Sequence, residues 1–153
     1  MKRLLCIGSV CALALTGAGC APADIDDAAA QDWLAQVAAE RADARGLLGS
    51  GWGVTGTGAV AVGGSREGIT LASEQPMTLS AAEIRCFGGG TASVEIEVNA
   101  ETSGRGVQTD VACDEQPHRV ELGEGGTPLP GVTSVRIDVR SAPVTTFYAE
   151  AYT

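Results

Sequence analysis

The sequence predicts an all-β fold, an antiparallel β-sandwich of the immunoglobulin-like or jelly-roll-like kind, preceded by a signal peptide and a short N-terminal helix. Three observations support this prediction. Apolar and polar residues alternate with a period of two along most of the chain after residue 68, turn-forming residues separate the alternating segments, and no helical pattern intervenes between them. About eight short strands with such spacing are typical of a sandwich, and a small barrel is the alternative.

The beginning of the chain predicts export. Lys2 and Arg3 precede an apolar stretch over residues 4–15, which is too short to span a bilayer, and small residues then lead to Cys20. We therefore divide the chain into three parts. These are a signal peptide over residues 1–19, a tether and spacer helix over residues 20–48, and a β-sandwich domain over residues 49–153.

Residues 16–20 resemble a lipobox, the pattern of bacterial lipoproteins in which an aliphatic and two small residues precede a cysteine that is diacylated on sulfur. Ala18 and Gly19 supply the small side chains, whereas Gly17 stands where the pattern usually has leucine. The resemblance implies lipidation of Cys20 and attachment to the extracytoplasmic face of the cell membrane. Cleavage without lipidation is the alternative. Two acyl chains, at about 0.8 kcal/mol per buried CH₂, would make the anchor durable.

The charge of the chain excludes some classes of partner. Ten basic residues face nineteen acidic ones, and loss of Lys2 and Arg3 with the signal peptide leaves eight against nineteen, a net charge of −11 with histidine neutral. This charge argues against nucleic acid as a partner and against binding to bare anionic lipid surfaces.

The segment after Cys20 predicts one helix. Asp24 or Asp26 can cap it, strong helix formers fill it, and it ends before Gly46. Its apolar stripe is narrow, so we expect a spacer helix or one that docks weakly on the domain. The stripe consists of Trp33, Leu34 and Val37.

The strands follow from local alternation. Residues 46–68 are rich in glycine but carry valine at positions 54, 60 and 62, which predicts a weak first strand between loops. Later segments place apolar residues at every second position, and the C-terminal segment 144–153 is aromatic and β-prone. The alternating sets are Met77 and Leu79; Ile84 and Cys86; Val94, Ile96 and Val98; Val107, Thr109, Val111 and Cys113; Val120 and Leu122; and Val135, Ile137 and Val139. Turns are predicted at residues 88–90, 103–106, 114–117, 123–131 and 141–143.

Two cysteines follow Cys20. In an oxidising compartment Cys86 and Cys113 are most simply a disulfide, which closes a loop of about 28 residues and stabilises by roughly 3 to 4 kcal/mol. Cys86 shares a strand face with Ile84, and Cys113 shares one with Val111, so both sulfurs are predicted to point into the core. A catalytic or metal-binding pair is the alternative interpretation.

The segments around these cysteines, IRCFGGGTASVEIEVNA and VACDEQPHRVEL, resemble small cell-envelope lipoproteins of high-GC actinobacteria. The matching features are Cys86 before the turn at Gly88 and Cys113 before Asp114. Glu115 departs from the pattern, which often has glycine there. The likeness covers about residues 80 to 140; it implies the fold and carries no activity with it.

The sequence predicts no catalytic residue, no metal site and no cofactor. His118, the only histidine, is expected at the rim of the sheet. Glu95 and Glu97 lie on one strand face and are typical of its polar side. Calcium is conceivable at two acidic stretches, although neither has the EF-hand pattern. These stretches are Asp114 with Glu115, and Asp24 with Asp26 and Asp27.

Six aromatic residues are the remaining candidates for ligand contact. Trp52 and Tyr148 are predicted to be the best exposed of them, and packing inside the protein is the alternative for each. The expected function is that of an anchored interaction or ligand-binding module without enzymatic activity, with an envelope protein or glycan as partner. Two alternatives remain. An envelope hydrolase acting on glycan requires a cleft with a carboxylate of raised pKa, and a purely structural protein tolerates most surface substitutions.

Overall fold

The structure, a computed structural model, describes residues 26–55 and 68–153. These residues form two antiparallel four-stranded sheets with one helix, which confirms the predicted all-β sandwich. The signal peptide, Cys20, Val60 and Val62 lie outside the described residues. The elements are α1 (Asp27–Arg41), β1 (Leu47–Val54), β2 (Gly68–Leu79), β3 (Ala81–Phe87), β4 (Thr91–Ala100), β5 (Ser103–Ala112), β6 (His118–Glu121), a 3-10 turn (Glu124–Gly126), β7 (Leu129–Ser141) and β8 (Thr146–Tyr152).

Consecutive strands alternate between the two layers, except that β4 and β5 form a hairpin within one sheet. Sheet A has the order β1-β8-β3-β6, and sheet B has the order β2-β7-β4-β5. The core lies between the sheets. In sheet B, Val94, Ile96 and Val98 face inward and are buried. Their cross-strand partners on β7 are also apolar, since Ile96 pairs with Ile137. Such pairs of β-branched residues stabilise a sheet, as the alternation predicted.

Glycine is required on the inward face of β1. A β-carbon added at Gly53 would lie 2.8 Å from the ring of Phe147, and one at Gly51 would lie 3.2 Å from the side chain of Ile69. The edge strand β1 therefore approaches its neighbours more closely than a side chain would allow. Glycine lowers the intrinsic stability of a strand, but at these positions it lets β1 pack against the core.

Two predicted turns differ from those in the structure. Residues 103–106 belong to β5, and the hairpin between β4 and β5 turns at residues 101–102, so the predicted turn was wrong. Gly104 and Gly106 pair with Asn99 and Glu97 in the ladder. A β-carbon at Gly106 would meet nothing within 4 Å. On this open edge strand the glycines do not interrupt the pairing. The predicted turn at 123–131 likewise ends early, because β7 begins at Leu129.

The helix packs on the outward face of sheet A. Asp26 caps it by accepting the backbone N–H groups of Ala28 and Ala29 at 3.0 and 3.2 Å. Its buried residues follow the helical repeat and comprise Ala30, Trp33, Leu34 and Val37. The ring of Trp33 lies 5.7 Å from that of Phe87. In the described residues, the helix falls short of the length and apolar character needed to cross a membrane.

The contacts of α1 define two ends of the sandwich. Trp33 contacts Phe87, which pairs with Thr146 at the start of β8, whereas Arg41 reaches Glu150 further along that strand. The helix therefore runs in the same direction as β8. We call the end at which α1 begins the near end; it carries the β3–β4, β5–β6 and β7–β8 connections, and β1 ends and β2 begins there. The far end carries the α1–β1, β2–β3, β4–β5 and β6–β7 connections.

Candidate functional site

A buried ion pair holds α1 to sheet A. The carboxylate of Glu150 is fully buried on β8, and the guanidinium of Arg41, in the last turn of α1, donates to both of its oxygens. The Nε–Oε2 distance is 3.1 Å. This bidentate contact raises the pKa of Arg41, mainly through the hydrogen bonds to Glu150. The helix therefore docks on the domain, through a specific polar contact as well as through its apolar stripe.

Tyr148 completes this polar cluster. Its hydroxyl donates to Glu150 Oε2 at 3.2 Å. Burial raises the pKa of Tyr148, while a hydrogen bond from Ser50 opposes the rise. The predicted exposure of Tyr148 is wrong: the side chain packs with Trp33, Leu34 and Val37 and is only 7% exposed. The side chain does point away from the core between the sheets, as its position in the strand indicates, but α1 covers that part of the outward face.

A second, more exposed pair of contacts joins the helix to β3. Arg85 donates from Nη1 to Glu40 at 2.9 Å and from Nε to its strand neighbour Glu83 at 3.0 Å. The pKa of Glu40 is lowered, first by its hydrogen bond from Gln36 and then by that from Arg85. Because Glu40 is exposed to solvent, this contact adds orientation more than stability.

Among the described residues, the helix leaves the outward face of the edge strand β1 uncovered. Ser50, Trp52 and Val54 project outward from the edge strand β1 and are exposed, and we call these three residues the β1 strip. Trp52 pairs across the ladder with buried Tyr148, so the strip borders the helix-covered region. The predicted exposure of Trp52 is confirmed, with 55% of its surface accessible. Residues 47–54 include no charged side chain.

Hydroxyl groups hold the β1 strip in place at the near end. Thr55 is buried, and its backbone N–H donates to the carbonyl oxygen of Thr145 at 2.8 Å. In return, the Thr145 N–H donates to Thr55 Oγ1 at 2.9 Å, and Ser141 Oγ lies 2.5 Å from the same oxygen. The strip therefore sits on a strand that is anchored at its end and paired with β8 along its length.

The two sheets are joined by the predicted disulfide. Cys86 on β3 and Cys113 after β5 form a disulfide, and both are buried as their parity indicated. Beyond Cys113, Asp114 accepts the backbone N–H of Gln116 at 3.1 Å and lies 2.9 Å from His118 Nε2. The hydrogen bond from His118, followed by that from Gln116, lowers the pKa of Asp114. This acidic stretch is thereby engaged in its own turn.

The other carboxylates singled out in the sequence do not converge. Asp26 caps α1, and Glu95 pairs with Arg140 at 3.3 Å on the outward face of sheet B. Within residues 26–55 and 68–153, no group of three His, Cys, Asp or Glu side chains is placed to hold a metal ion. Sequence analysis missed the Arg41–Glu150–Tyr148 cluster. Its one local indication was the outward parity of Glu150 in an otherwise apolar strand.

The structure thus offers two distinct features on sheet A. One is the helix junction, whose polar groups satisfy one another and hold the N-terminal segment in a defined position. The other is the β1 strip, an uncharged aromatic surface beside that junction. Comparison of the chain with known protein families, with curated proteins and with solved structures gives no match.

Proposed function

We propose that this chain is a lipid-anchored interaction module of the bacterial cell envelope. In this proposal Cys20 carries the lipid at the extracytoplasmic face of the membrane, and the sandwich meets an envelope protein or glycan. The proposal rests on the export signal and lipobox-like residues of the sequence and on the docking of α1 on sheet A. It includes no cofactor and no catalytic step.

The observation that supports it most strongly is the docking of α1. Because the Arg41–Glu150 pair and the buried apolar stripe bind the helix to sheet A, the chain is held to the sandwich from α1 onward, with Asp26 as the helix cap. Six residues separate Cys20 from this cap when Asp26 is counted. Fully extended, they span about 20 Å. A lipid on Cys20 would therefore hold the sandwich close to the membrane, with its near end toward the bilayer.

This orientation directs the far end away from the membrane. The β4–β5 hairpin and the β6–β7 connection lie there, and their side chains at Glu101, Thr102 and Glu124 are exposed. Polar and acidic loops of this kind suit hydrogen bonding to a glycan or to a basic protein surface. A rigid scaffold that presents loops in one direction is the arrangement that an anchored interaction module needs.

The anchor is tested on protein isolated from the cell envelope. Mass spectrometry should find a diacylglycerol on Cys20 at the new N-terminus, and Cys20→Ala should release the protein from the membrane fraction. Recovery of unmodified Cys20, or of the Ala variant in the membrane fraction at wild-type levels, contradicts the proposal.

The interaction is tested by crosslinking in intact cells. A photoreactive amino acid at Thr102, on the far end, should capture a specific partner from cells with the lipidated protein. The same residue at Gln108, on the outward face of β5, is the matched control. If the lipidated chain captures no specific partner at Thr102, or if a soluble Cys20→Ala protein functions equally well in cells, the module does not work as proposed.

A further inference from the structure

The β1 strip contains the two large apolar side chains that the described residues leave exposed. Trp52 is 55% and Val54 is 49% exposed. They are two residues apart on the same face of one strand, hence about 7 Å from each other. Single exposed apolar residues are common on soluble proteins, but an exposed tryptophan beside a valine on an uncharged edge strand is a different case. The location of this pair in the fold therefore bears on its function.

The pair lies toward the near end of the sandwich. Val54 pairs with Thr146, which pairs on its other side with Phe87, the residue that Trp33 contacts. From Trp33 the helix continues toward its start at Asp26, a further seven residues or about 10 Å along the helix axis. The start of the domain and the exposed pair are therefore at the same end, on the same face of sheet A.

The tether fixes the distance of this end from the membrane. If Cys20 carries the lipid, the six residues that end at Asp26 span about 20 Å at most. The near end then stays within one domain diameter of the headgroups. Any weak affinity of the strip for the bilayer acts at the high effective concentration that a short tether provides.

We infer that the β1 strip docks on the lipid bilayer, with the Trp52 ring and Val54 at the boundary between headgroups and acyl chains. This inference rests on the proposed lipid anchor at Cys20. Tryptophan favours this boundary because its ring is apolar while its N–H can donate to headgroup oxygens. The contact is too small to hold a free protein on a membrane, but it tilts one that is already tethered toward its β1 edge, with the near end still closest to the bilayer.

Charge determines which lipids suit this contact. The strip itself is uncharged, whereas Asp26, Asp27 and Asp32 lie at the near end and the mature chain is strongly acidic. Anionic lipid would repel these carboxylates, so the strip should insert best into zwitterionic bilayers. Raising the fraction of anionic lipid at low salt should withdraw Trp52 from the bilayer without detaching the lipid anchor.

The two tryptophans of the chain make the inference testable by fluorescence. Trp33→Phe leaves Trp52 as the single reporter, and Trp52→Phe leaves the buried Trp33 as the matched control. Lipidated full-length protein of each variant, taken from the envelope, is reconstituted into phosphatidylcholine vesicles with and without lipids brominated near the headgroup. Circular dichroism checks that both variants keep the wild-type fold. Substitution of Trp52 alone, compared with the wild type, gives the same reading should Trp33→Phe not fold.

The expected result is specific to Trp52. Its emission should shift to the blue in vesicles, lose intensity to the brominated lipids and become protected from acrylamide, whereas Trp33 should show none of these changes. Val54→Asp should reduce the quenching of Trp52. Emission from Trp52 that brominated lipid does not quench overturns the inference. If acrylamide protection accompanies that result, protein and not lipid covers the strip.

Failure of the anchor is recognised separately. Vesicle flotation and the mass of the N-terminal peptide report on Cys20 independently of Trp52. A chain without lipid that does not float overturns the proposed anchor and this inference together. A lipidated chain that floats with Trp52 unquenched overturns this inference alone, and leaves the strip to an envelope protein or a glycan.

Discussion

Glu115 adopts a backbone conformation that usually belongs to glycine. Its φ of 69° makes it the one residue other than glycine with a positive φ in the part of the chain that the structure describes. The turn is held by the backbone, since the Glu115 N–H donates to the carbonyl oxygen of Cys86 at 2.9 Å. A side chain in this region strains the backbone by roughly 1–2 kcal/mol.

Glu115→Gly should therefore stabilise the protein. Relief of the strain is partly offset by the larger conformational freedom of glycine in the unfolded chain, so the net gain is about 0.5–1 kcal/mol. Chemical denaturation of the purified protein measures it. Glu115→Ala, which removes the carboxylate but keeps the β-carbon, should bring no such gain. Equal stabilisation by both variants would assign the effect to charge instead of backbone conformation.

Arg41 neutralises a buried carboxylate, so its loss should be costly. Arg41→Met leaves Glu150 buried without its partner, and we expect a destabilisation of about 3 kcal/mol. Arg45→Met, at an exposed position just beyond the helix, should change stability by less than about 0.5 kcal/mol. Combining Arg41→Met with Glu150→Leu should recover most of the loss. Urea denaturation followed by Trp33 fluorescence tests all three, and equal effects of the two arginine substitutions would refute the role of the pair.

Asp114 should make stability depend on pH. Its pKa is lowered in the folded protein, so its contribution is complete above the ordinary carboxyl pKa and is lost as the pH falls through the lowered value. The stability difference between the wild type and Asp114→Asn should therefore be constant near neutral pH and shrink below about pH 4. Thermal melts across this range measure it. A difference that grows in acid would reverse the sign of the linkage.

At the scale of elements, the edge strand β1 depends on its inward-facing glycines. In Gly53→Ala the new β-carbon meets the ring of Phe147, which must shift inside a packed core. Such overpacking costs about 1–3 kcal/mol. Gly106→Ala on edge strand β5 is the matched control, because its β-carbon meets nothing within 4 Å, and it should be neutral or slightly stabilising. Denaturant melts of both variants decide the matter; similar losses at both sites would mean that the approach to Phe147 is unimportant.

The helix junction shows how the docking of one element changes the environment of residues on another. Outward residues of β8 are tyrosine and glutamate, a pattern typical of a solvent-facing surface. The docking of α1 converts the middle of that surface into a second, smaller core around Tyr148 and a buried ion pair. Beside it, the described residues leave the outward face of β1 exposed. The same face of sheet A therefore contributes both the most buried charge and the most exposed tryptophan.

At the scale of the whole molecule, the disulfide joins the two layers covalently. Cys86 belongs to sheet A, and Cys113 follows directly after β5 of sheet B, 27 residues later in the chain. Replacing both by alanine should destabilise by roughly 3 to 4 kcal/mol, because the unfolded chain gains the freedom of that loop. Thermal melts of the double variant and of the wild type with and without reductant measure this. A double variant as stable as the oxidised wild type would show that packing alone holds the sheets together.

The sequence alone determined the layered β architecture. Period-two alternation identified the inward faces of β3, β4, β6 and β7. The same parity placed Cys86 and Cys113 in the core without reference to the tertiary structure. These properties are local, since a strand's two faces follow from which of its own residues are apolar.

Only the tertiary structure decided the fate of the outward faces. Tyr148 and Glu150 are buried because α1 packs on them, although it precedes them by more than a hundred residues in the chain. Trp52, on the neighbouring strand, is exposed among the described residues. The turn residues at 103–106 were likewise assigned to a strand by pairing with β4. Helix docking and strand pairing are long-range contacts whose free energy depends on the assembled sheet, so no window of local sequence contains it.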